Sequence, residues 1–209
     1  EKFEQQIADE LADELLSCYE SLEDDGSVSA SSVANRALKQ ICLHYLAKTQ
    51  KPEAVTFIKD AASSTNMTNV LGALSAVVKA SHPGRQALLS HFDSQWRHDV
   101  LVMDKWFALQ AMQSGSNAIE NIKALYEHPC FDFSNPNRVR ALVGSFSHFN
   151  TAQFHRSDAQ GYALLGDLLI KLNAINPQNA SRMLTPFMSW KRYDEIAITA
   201  FSQPRWPKC

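Results

Sequence analysis

Two polar side chains near the end of the chain have types and a spacing that suit the binding of a carbonyl and an anion. Gln178 and Arg182 are four positions apart in a predicted helix that begins after Asn176-Pro177, so they share one helical face. An amide and a guanidinium placed together can hold a carbonyl and a carboxylate through paired hydrogen bonds. A solvated helix face shows the same spacing and is the commoner arrangement, so the spacing alone leaves both interpretations open.

Two arginines occupy the opening turns of another predicted helix, which begins at Asn135-Pro136. Arg138 and Arg140 lie there beside the positive end of the helix dipole, where a cation is unfavourable. Such a placement favours a nearby anion. That anion is either a bound ligand or a carboxylate of the chain itself, and the chain's own carboxylate is the simpler expectation.

No other spacing of residues indicates a catalytic or metal-binding motif. A Ser/His/Asp triad needs no fixed spacing in the sequence, and nothing in this chain singles one out. The seven histidines lack the spacing of four that places two metal ligands on one helical face, and the sequence contains no HExxH. It also lacks a GxSxG motif and a glycine-rich phosphate loop, and it holds only 7 glycines. We therefore expect no catalytic residue, no metal ligand and no cofactor site in this segment.

The composition excludes several classes of partner. The chain has 20 Lys and Arg residues against 22 Asp and Glu, a net charge of -2, and no basic block that could follow a phosphate backbone or an anionic membrane surface. No apolar run approaches the roughly 20 residues of a membrane-spanning helix. We expect neither nucleic acid nor membrane as a partner. The four cysteines form no CxxC pair, which favours a reducing compartment and a cytoplasmic location.

Hydrophobic periodicity predicts helices along the whole chain. Apolar residues recur every four positions from Phe3 to Tyr19, which indicates an amphipathic helix, and no convincing period-two strand occurs. The residues from Ser29 to Ser32 offer candidate N-caps for the next helix, Pro52 is placed like a first-turn proline, and Pro83-Gly84 breaks the pattern.

Two later helices open with the same signal, Asn as N-cap and Pro in the first helical position, at Asn135-Pro136 and at Asn176-Pro177. The offset between them falls in the ~40–47-residue period of HEAT and armadillo repeats. We predict an all-α fold, an α-solenoid of stacked antiparallel helix pairs (HEAT/armadillo-like). Pro186 predicts a kink or break near Leu184. The apolar run 101–109 is typical of core packing.

Six segments carry a resemblance to a known family: Asn66-Met67-Thr68, Ala73-Leu74-Ser75-Ala76, 101–107, 134–140, 176–183 and Lys191-Arg192-Tyr193-Asp194. In this order, over about residues 4–194, they resemble the C-terminal helical domain of bacterial aminopeptidase N, in the M1 family of zinc metallo-aminopeptidases. Residues 1–209 are thus expected to form a single C-terminal helical-repeat domain of a larger enzyme. Residues 195–209 depart from the family pattern, and Pro204 and Pro207 forbid a regular helix there.

The resemblance implies a four-domain enzyme that removes N-terminal residues from peptides. Its zinc is held by HExxH and a distant Glu in an upstream catalytic domain, and neither element is present here. The C-terminal domain closes over that site and encloses a chamber. By resemblance, Gln178 and Arg182 line the pocket for the residue after the scissile bond, and Arg140 faces the same chamber. Arg138 is left as a structural ion pair.

The implied partners are the catalytic domain of the same polypeptide and peptide substrates. An alternative from another class is a free-standing α-solenoid scaffold for protein partners, because concave solenoid faces commonly bind other chains. An upstream reading frame that contains HExxH would distinguish the enzyme from the scaffold.

Overall fold

The computed structural model describes residues 2–49 and 51–192, and within these ranges the regular elements are helices without a strand. The chain divides into two compact units, residues 1–94 and 95–209. The predicted atypical tail, 195–209, and the motif residues Tyr193 and Asp194 lie outside the described residues, so those expectations stay predictions.

The first unit is built from helices that pack as neighbours in the sequence. They are α1 (Lys2–Glu10), α2 (Ala12–Ser21), α3 (Ala30–Leu46), α4 (Pro52–Ala62), α5 (Met67–Lys79) and the greater part of α6 (Arg85–Trp96). Helix α3 packs against α2 and α5, and α4 packs against α5. Their shared core includes the almost fully buried Leu43, Ile58 and Val77.

The prediction of one continuous helix from Phe3 to Tyr19 is wrong in one respect. The helix is interrupted at Leu11, which separates α1 from α2. Phe3 and Leu11, both on the predicted apolar stripe, are 73% and 46% exposed. These two positions of the stripe therefore do not face the core of the unit, an outcome that periodicity alone does not reveal.

The local signals for helix starts are confirmed in this unit. The Ser29 hydroxyl accepts a hydrogen bond from the Ser32 N–H at 3.2 Å, which satisfies one of the free donors at the start of α3. Pro52 occupies the first turn of α4. Pro83-Gly84 lies in the turn between α5 and α6.

This turn also contains a histidine whose protonation is coupled to folding. The His82 Nδ1 accepts a hydrogen bond from the Gly84 N–H at 3.0 Å, which requires that nitrogen to be unprotonated. Burial lowers the pKa of His82. The folded state therefore binds fewer protons than the unfolded state near this pH. The contribution of His82 to folding stability is fully present above the ordinary histidine pKa of about 6.5, and it is lost as the pH falls below that value.

We expect the midpoint of thermal unfolding to fall as the pH is lowered from 7.5 to 5, and the H82Q variant to show a shallower fall, because the glutamine side chain does not titrate. Burial also lowers the pKa of His44 and of His155, so the slope should be reduced and not abolished. Circular dichroism during thermal unfolding at several pH values measures how the midpoint depends on pH in each protein. Identical slopes for the two proteins would contradict the assignment to His82.

The second unit holds the residues singled out above. Its elements are the end of α6, α7 (Val100–Ala111), α8 (Ala118–Leu125), α9 (Pro136–Val139), a π-helical segment (Arg140–Gly144), α10 (Ser145–Phe149), α11 (Thr151–Phe154), α12 (Gln160–Ile175), α13 (Pro177–Arg182) and a 3-10 helix (Thr185–Arg192). The π-helical segment packs against α7, and α13 packs against α12.

Helix α7 supplies the centre of this unit. Met103 and Phe107 are 0% exposed and Trp106 is 5% exposed, which confirms that the run 101–109 is core. Leu101, at the first turn of α7, differs because 71% of its surface is exposed. The two Asn-Pro starts and the break caused by Pro186 are confirmed, since α13 ends at Arg182 and a 3-10 helix follows.

Candidate functional site

Helix α13 presents Gln178 and Arg182 to solvent. Its first turn is fixed by Asn176, whose side-chain oxygen accepts a hydrogen bond from the Asn179 N–H at 3.0 Å. Ala180 and Met183 on the same segment are buried, so the inward face of the helix is apolar. Gln178 and Arg182 are both exposed. Within residues 2–49 and 51–192, neither side chain has a hydrogen-bond or ion-pair partner.

Arg138 is committed to the core of the unit. Its side chain is 3% exposed, and its Nε lies 2.8 Å from Asp104 Oδ1. The Nη2 donates a hydrogen bond to the Val100 carbonyl at 3.2 Å, and the guanidinium lies 4.8 Å from the centroid of the Phe107 ring. The expected intramolecular ion pair of Arg138 is therefore confirmed, and it accounts for a cation in the first turn of a helix.

The contact between Arg138 and Asp104 is close but poorly aligned. The Nε and Oδ1 atoms lie within ion-pair distance, yet neither satisfies hydrogen-bond geometry. Among the described residues, the buried donor Arg138 Nη1 also has no acceptor. Attraction between the charges, not an aligned fork of hydrogen bonds, holds the pair together.

Arg140, two residues further along, is exposed and forms no such ion pair among the described residues. Its Nη2 donates a hydrogen bond to Asn137 Oδ1. Within the described ranges no carboxylate lies in ion-pair distance of Arg140. The side-chain acceptor that meets this guanidinium is thus a neutral amide oxygen and not a carboxylate.

The acidic residue shortly before this helix does not neutralise Arg140. Asp132 accepts hydrogen bonds from the Ser134 N–H at 2.8 Å and from the Ser134 hydroxyl at 2.7 Å. The Ser134 hydrogen bonds lower the pKa of Asp132, with a smaller effect from the charge of Arg138. Asp132 is thus engaged in a turn with Ser134.

The π-helical segment brings Arg140 into the neighbourhood of α13. The Ser145 N–H donates to the Arg140 carbonyl, five residues back, which is the bond that defines a π turn, a feature frequent at functional sites. A Cβ added to Gly144 would lie 3.2 Å from the Arg140 Cγ and 3.7 Å from the Met183 Cε. Through Gly144 and Met183, the segment that carries Arg140 adjoins the end of the helix that carries Gln178 and Arg182.

Sequence reasoning missed a groove between α12 and α13. It is open to solvent, has a volume of about 490 Å³, and is lined by Leu169, Ile170, Asn173, Pro177, Ala180, Ser181 and Leu184. Ile170 and Leu184 remain 58% and 50% exposed. The sequence contains the adjacent apolar residues Leu169 and Ile170, but nothing in their pattern distinguishes them from core positions.

His148 is a second feature that the sequence does not single out. Its Nδ1 lies 2.9 Å from the Gly144 carbonyl oxygen. Because a carbonyl only accepts, the Nδ1 carries the proton, and the Nε2 is left as an acceptor in the neutral ring.

No helix among the described residues combines the length and the apolar character that crossing a bilayer requires.

A family model described as a domain of unknown function (DUF3458_C) with ARM repeats matches residues 1–201. Two curated relatives are 43% identical to the chain over 190 residues, aminopeptidase N of Haemophilus influenzae and aminopeptidase N of Escherichia coli, and aminopeptidase N of Caulobacter vibrioides is 36% identical. Each match covers 90% of this chain and 22% of the relative. The chain therefore spans less than a quarter of the length of the relatives that it matches.

A solved structure gives the same result. The crystal structure of Legionella pneumophila aminopeptidase A in complex with aspartic acid matches with a TM-score of 0.81 and 28% identity, covering 95% of this chain and 24% of that one. The ARM-repeat description confirms the predicted HEAT/armadillo-like all-α fold. The named relatives confirm the resemblance to bacterial aminopeptidase N.

Proposed function

The chain belongs to the DUF3458_C family of ARM-repeat domains, and from this premise we propose that it is the substrate-gating, peptide-binding C-terminal domain of a zinc aminopeptidase. The observation that carries the proposal is the 43% identity to two aminopeptidase N chains over 90% of this segment. The activity proposed for the whole polypeptide is the removal of N-terminal residues from peptides.

The zinc of the proposed enzyme, when bound, polarises the scissile carbonyl and activates water. Its ligands are assigned to the remainder of the polypeptide, because this chain contains no HExxH motif. The same-chain catalytic domain is thus the principal partner of this segment. We assign the segment no catalytic residue.

The residues of this chain bind and orient the part of the substrate beyond the scissile bond. In the described part of the chain, Arg182 and Arg140 are exposed cations without a carboxylate partner. The Gln178 side chain is an exposed amide without a hydrogen-bond partner in the same part. A guanidinium can hold a peptide carbonyl or a terminal carboxylate through two parallel hydrogen bonds, and it does not titrate in the physiological range. Gln178 adds a donor and an acceptor for the peptide backbone.

Gating is the second part of the proposal. The helix pairs of a repeat fold bury their apolar stripes against their neighbours. We propose that this domain packs over the catalytic site of the full-length polypeptide and so limits entry to chains that are short or unfolded. A cytoplasmic location is consistent with the free thiols of Cys18, Cys42 and Cys130.

The test of gating compares substrates of one N-terminal sequence in the full-length polypeptide. We expect short peptides and a denatured protein to lose their N-terminal residue at least tenfold faster than the same protein in its folded state, measured by mass spectrometry. The isolated 209-residue chain should hydrolyse none of them. Equal rates for folded and denatured substrate would contradict gating, whereas turnover by the isolated chain would contradict the absence of a catalytic centre.

A further inference from the structure

We propose that Asn137 and Gly144 are positioning residues that hold the Arg140 guanidinium in the orientation in which it meets the substrate. The inference rests on the proposed function, since it assigns a supporting role to two residues that flank a proposed binding residue. Neither Asn137 nor Gly144 is expected to touch the peptide.

Asn137 holds the charged end of Arg140. Its Oδ1 accepts a hydrogen bond from the Arg140 Nη2, and the two residues are three positions apart, so they lie on the same helical face. Asn137 is itself anchored, because its N–H donates to the side-chain oxygen of the N-cap Asn135 at 3.0 Å. The acceptor that meets Arg140 is thus attached to a capped first turn.

The neutral acceptor has a functional consequence. A carboxylate at position 137 would pair with the guanidinium and compete with the substrate for it. The amide oxygen of Asn137 orients the guanidinium while its charge stays available. Its orientation in the free protein reduces the side-chain entropy that would otherwise be lost when a peptide binds.

Gly144 provides the space through which the stem of Arg140 passes. A Cβ at this position would lie 3.2 Å from the Arg140 Cγ and 3.6 Å from its Cβ. The first distance is tighter than an ordinary Cβ contact, so the Arg140 stem would have to shift by a few tenths of an ångström, whereas the second is an ordinary contact distance. The third neighbour of the site is the Met183 Cε at 3.7 Å, an ordinary contact distance, so an added methyl group acts chiefly on Arg140 and much less on the packing of α13.

The first experiment substitutes Asn137 in the full-length polypeptide. N137A should raise the KM for a tripeptide by about three- to tenfold with little change in kcat, the size expected when one long side chain loses its preferred orientation. N137D should raise this KM by at least as much, although an aspartate in the first turn of a helix favours its stability. A purely structural Asn137 predicts the reverse, an unchanged KM in N137D together with equal or higher thermal stability.

The second experiment is a double-mutant cycle. G144A should also raise the KM for the tripeptide, and this effect should disappear in the R140A background, because Gly144 acts through the Arg140 side chain. The K123A variant, which removes an exposed cation from α8, is the matched control and should keep the KM of the unsubstituted enzyme. An effect of G144A that persists in the R140A background would overturn the positioning role of Gly144.

The KM values of R140A, N137A and G144A together distinguish the positioning role of Asn137 and Gly144 from the binding role of Arg140. If R140A raises the KM for the tripeptide and neither N137A nor G144A does, the positioning role is wrong and the binding role of Arg140 stands. If R140A itself has no effect, the binding role fails and the positioning role falls with it. Circular dichroism of each variant confirms that a changed KM does not arise from unfolding.

Discussion

Substitution of Arg182 by alanine in the full-length polypeptide is expected to raise the KM for di- and tripeptides by about ten- to hundredfold. This range corresponds to the loss of a hydrogen-bonded contact between charged groups, about 1.5–3 kcal/mol. The KM for an aminoacyl anilide should rise much less, because such a substrate has no amino acid beyond the scissile bond. Steady-state kinetics with both substrates measures the difference.

The R182K variant tests what the guanidinium contributes beyond its charge. A lysine keeps the positive charge but cannot form the two parallel hydrogen bonds of an arginine. We expect its KM for peptides to lie between those of the unsubstituted enzyme and R182A. A tripeptide amide, which lacks the terminal carboxylate, should show a smaller difference among the three proteins than the free acid.

The control is again K123A, which removes an exposed positive charge from another helix of the same unit. Its KM for peptides should be unchanged, which shows that the effect of R182A is local and not a consequence of the lower net charge. Equal losses of kcat/KM for peptides and for the anilide in R182A would count against the binding role of this residue.

Signals that act within one or two turns were predictable from the sequence. Asn135 and Asn176 cap their helices as expected, because a side-chain amide and a following proline determine a helix start locally. Pro186 ends the last helical pattern for an equally local reason, since proline lacks the N–H that a helix interior requires.

Features that depend on the rest of the structure could not be predicted in the same way. The stripe from Phe3 to Tyr19 has the right period for one helix, yet the chain breaks at Leu11, and only the packing of α2 on α3 decides which part of the stripe is buried. The π-helical segment at Arg140–Gly144 leaves no periodic signal. The groove beside α13 depends on the distance between two helices, which a sequence does not contain.

Arg138 and Arg140 illustrate the same limit most directly. The two residues are of one type, two positions apart and in one predicted helix, so the sequence offers no local reason to treat them differently. The resemblance to a known family separated them, and the structure supplies the physical cause. Position 138 faces Asp104 and Phe107 in the core, whereas position 140 faces solvent beside Asn137.

Substitution of Arg138 by alanine should therefore destabilise the protein severely. Arg138 and Asp104 are 3% and 17% exposed in their side chains, and removal of one member of a buried pair leaves the other charge unpaired, at a cost of about 3–5 kcal/mol. Equilibrium unfolding in urea measures the loss. The R140A variant is the matched control, since an exposed substitution of this kind changes stability by about 0.5 kcal/mol or less.

The imperfect alignment of the Arg138–Asp104 contact predicts the result of replacing both residues. Within the part of the chain that the structure describes, three buried atoms of this pair, Arg138 Nε and Nη1 and Asp104 Oδ1, have no aligned hydrogen bond. The pair therefore recovers only part of the desolvation cost of its charges. The double variant R138M/D104L removes both charges and fills similar volume, and it should regain most of the stability that R138A loses. A double variant as unstable as R138A would show that the attraction between the two charges, and not the unpaired charge left by truncation, is the larger contribution at this position.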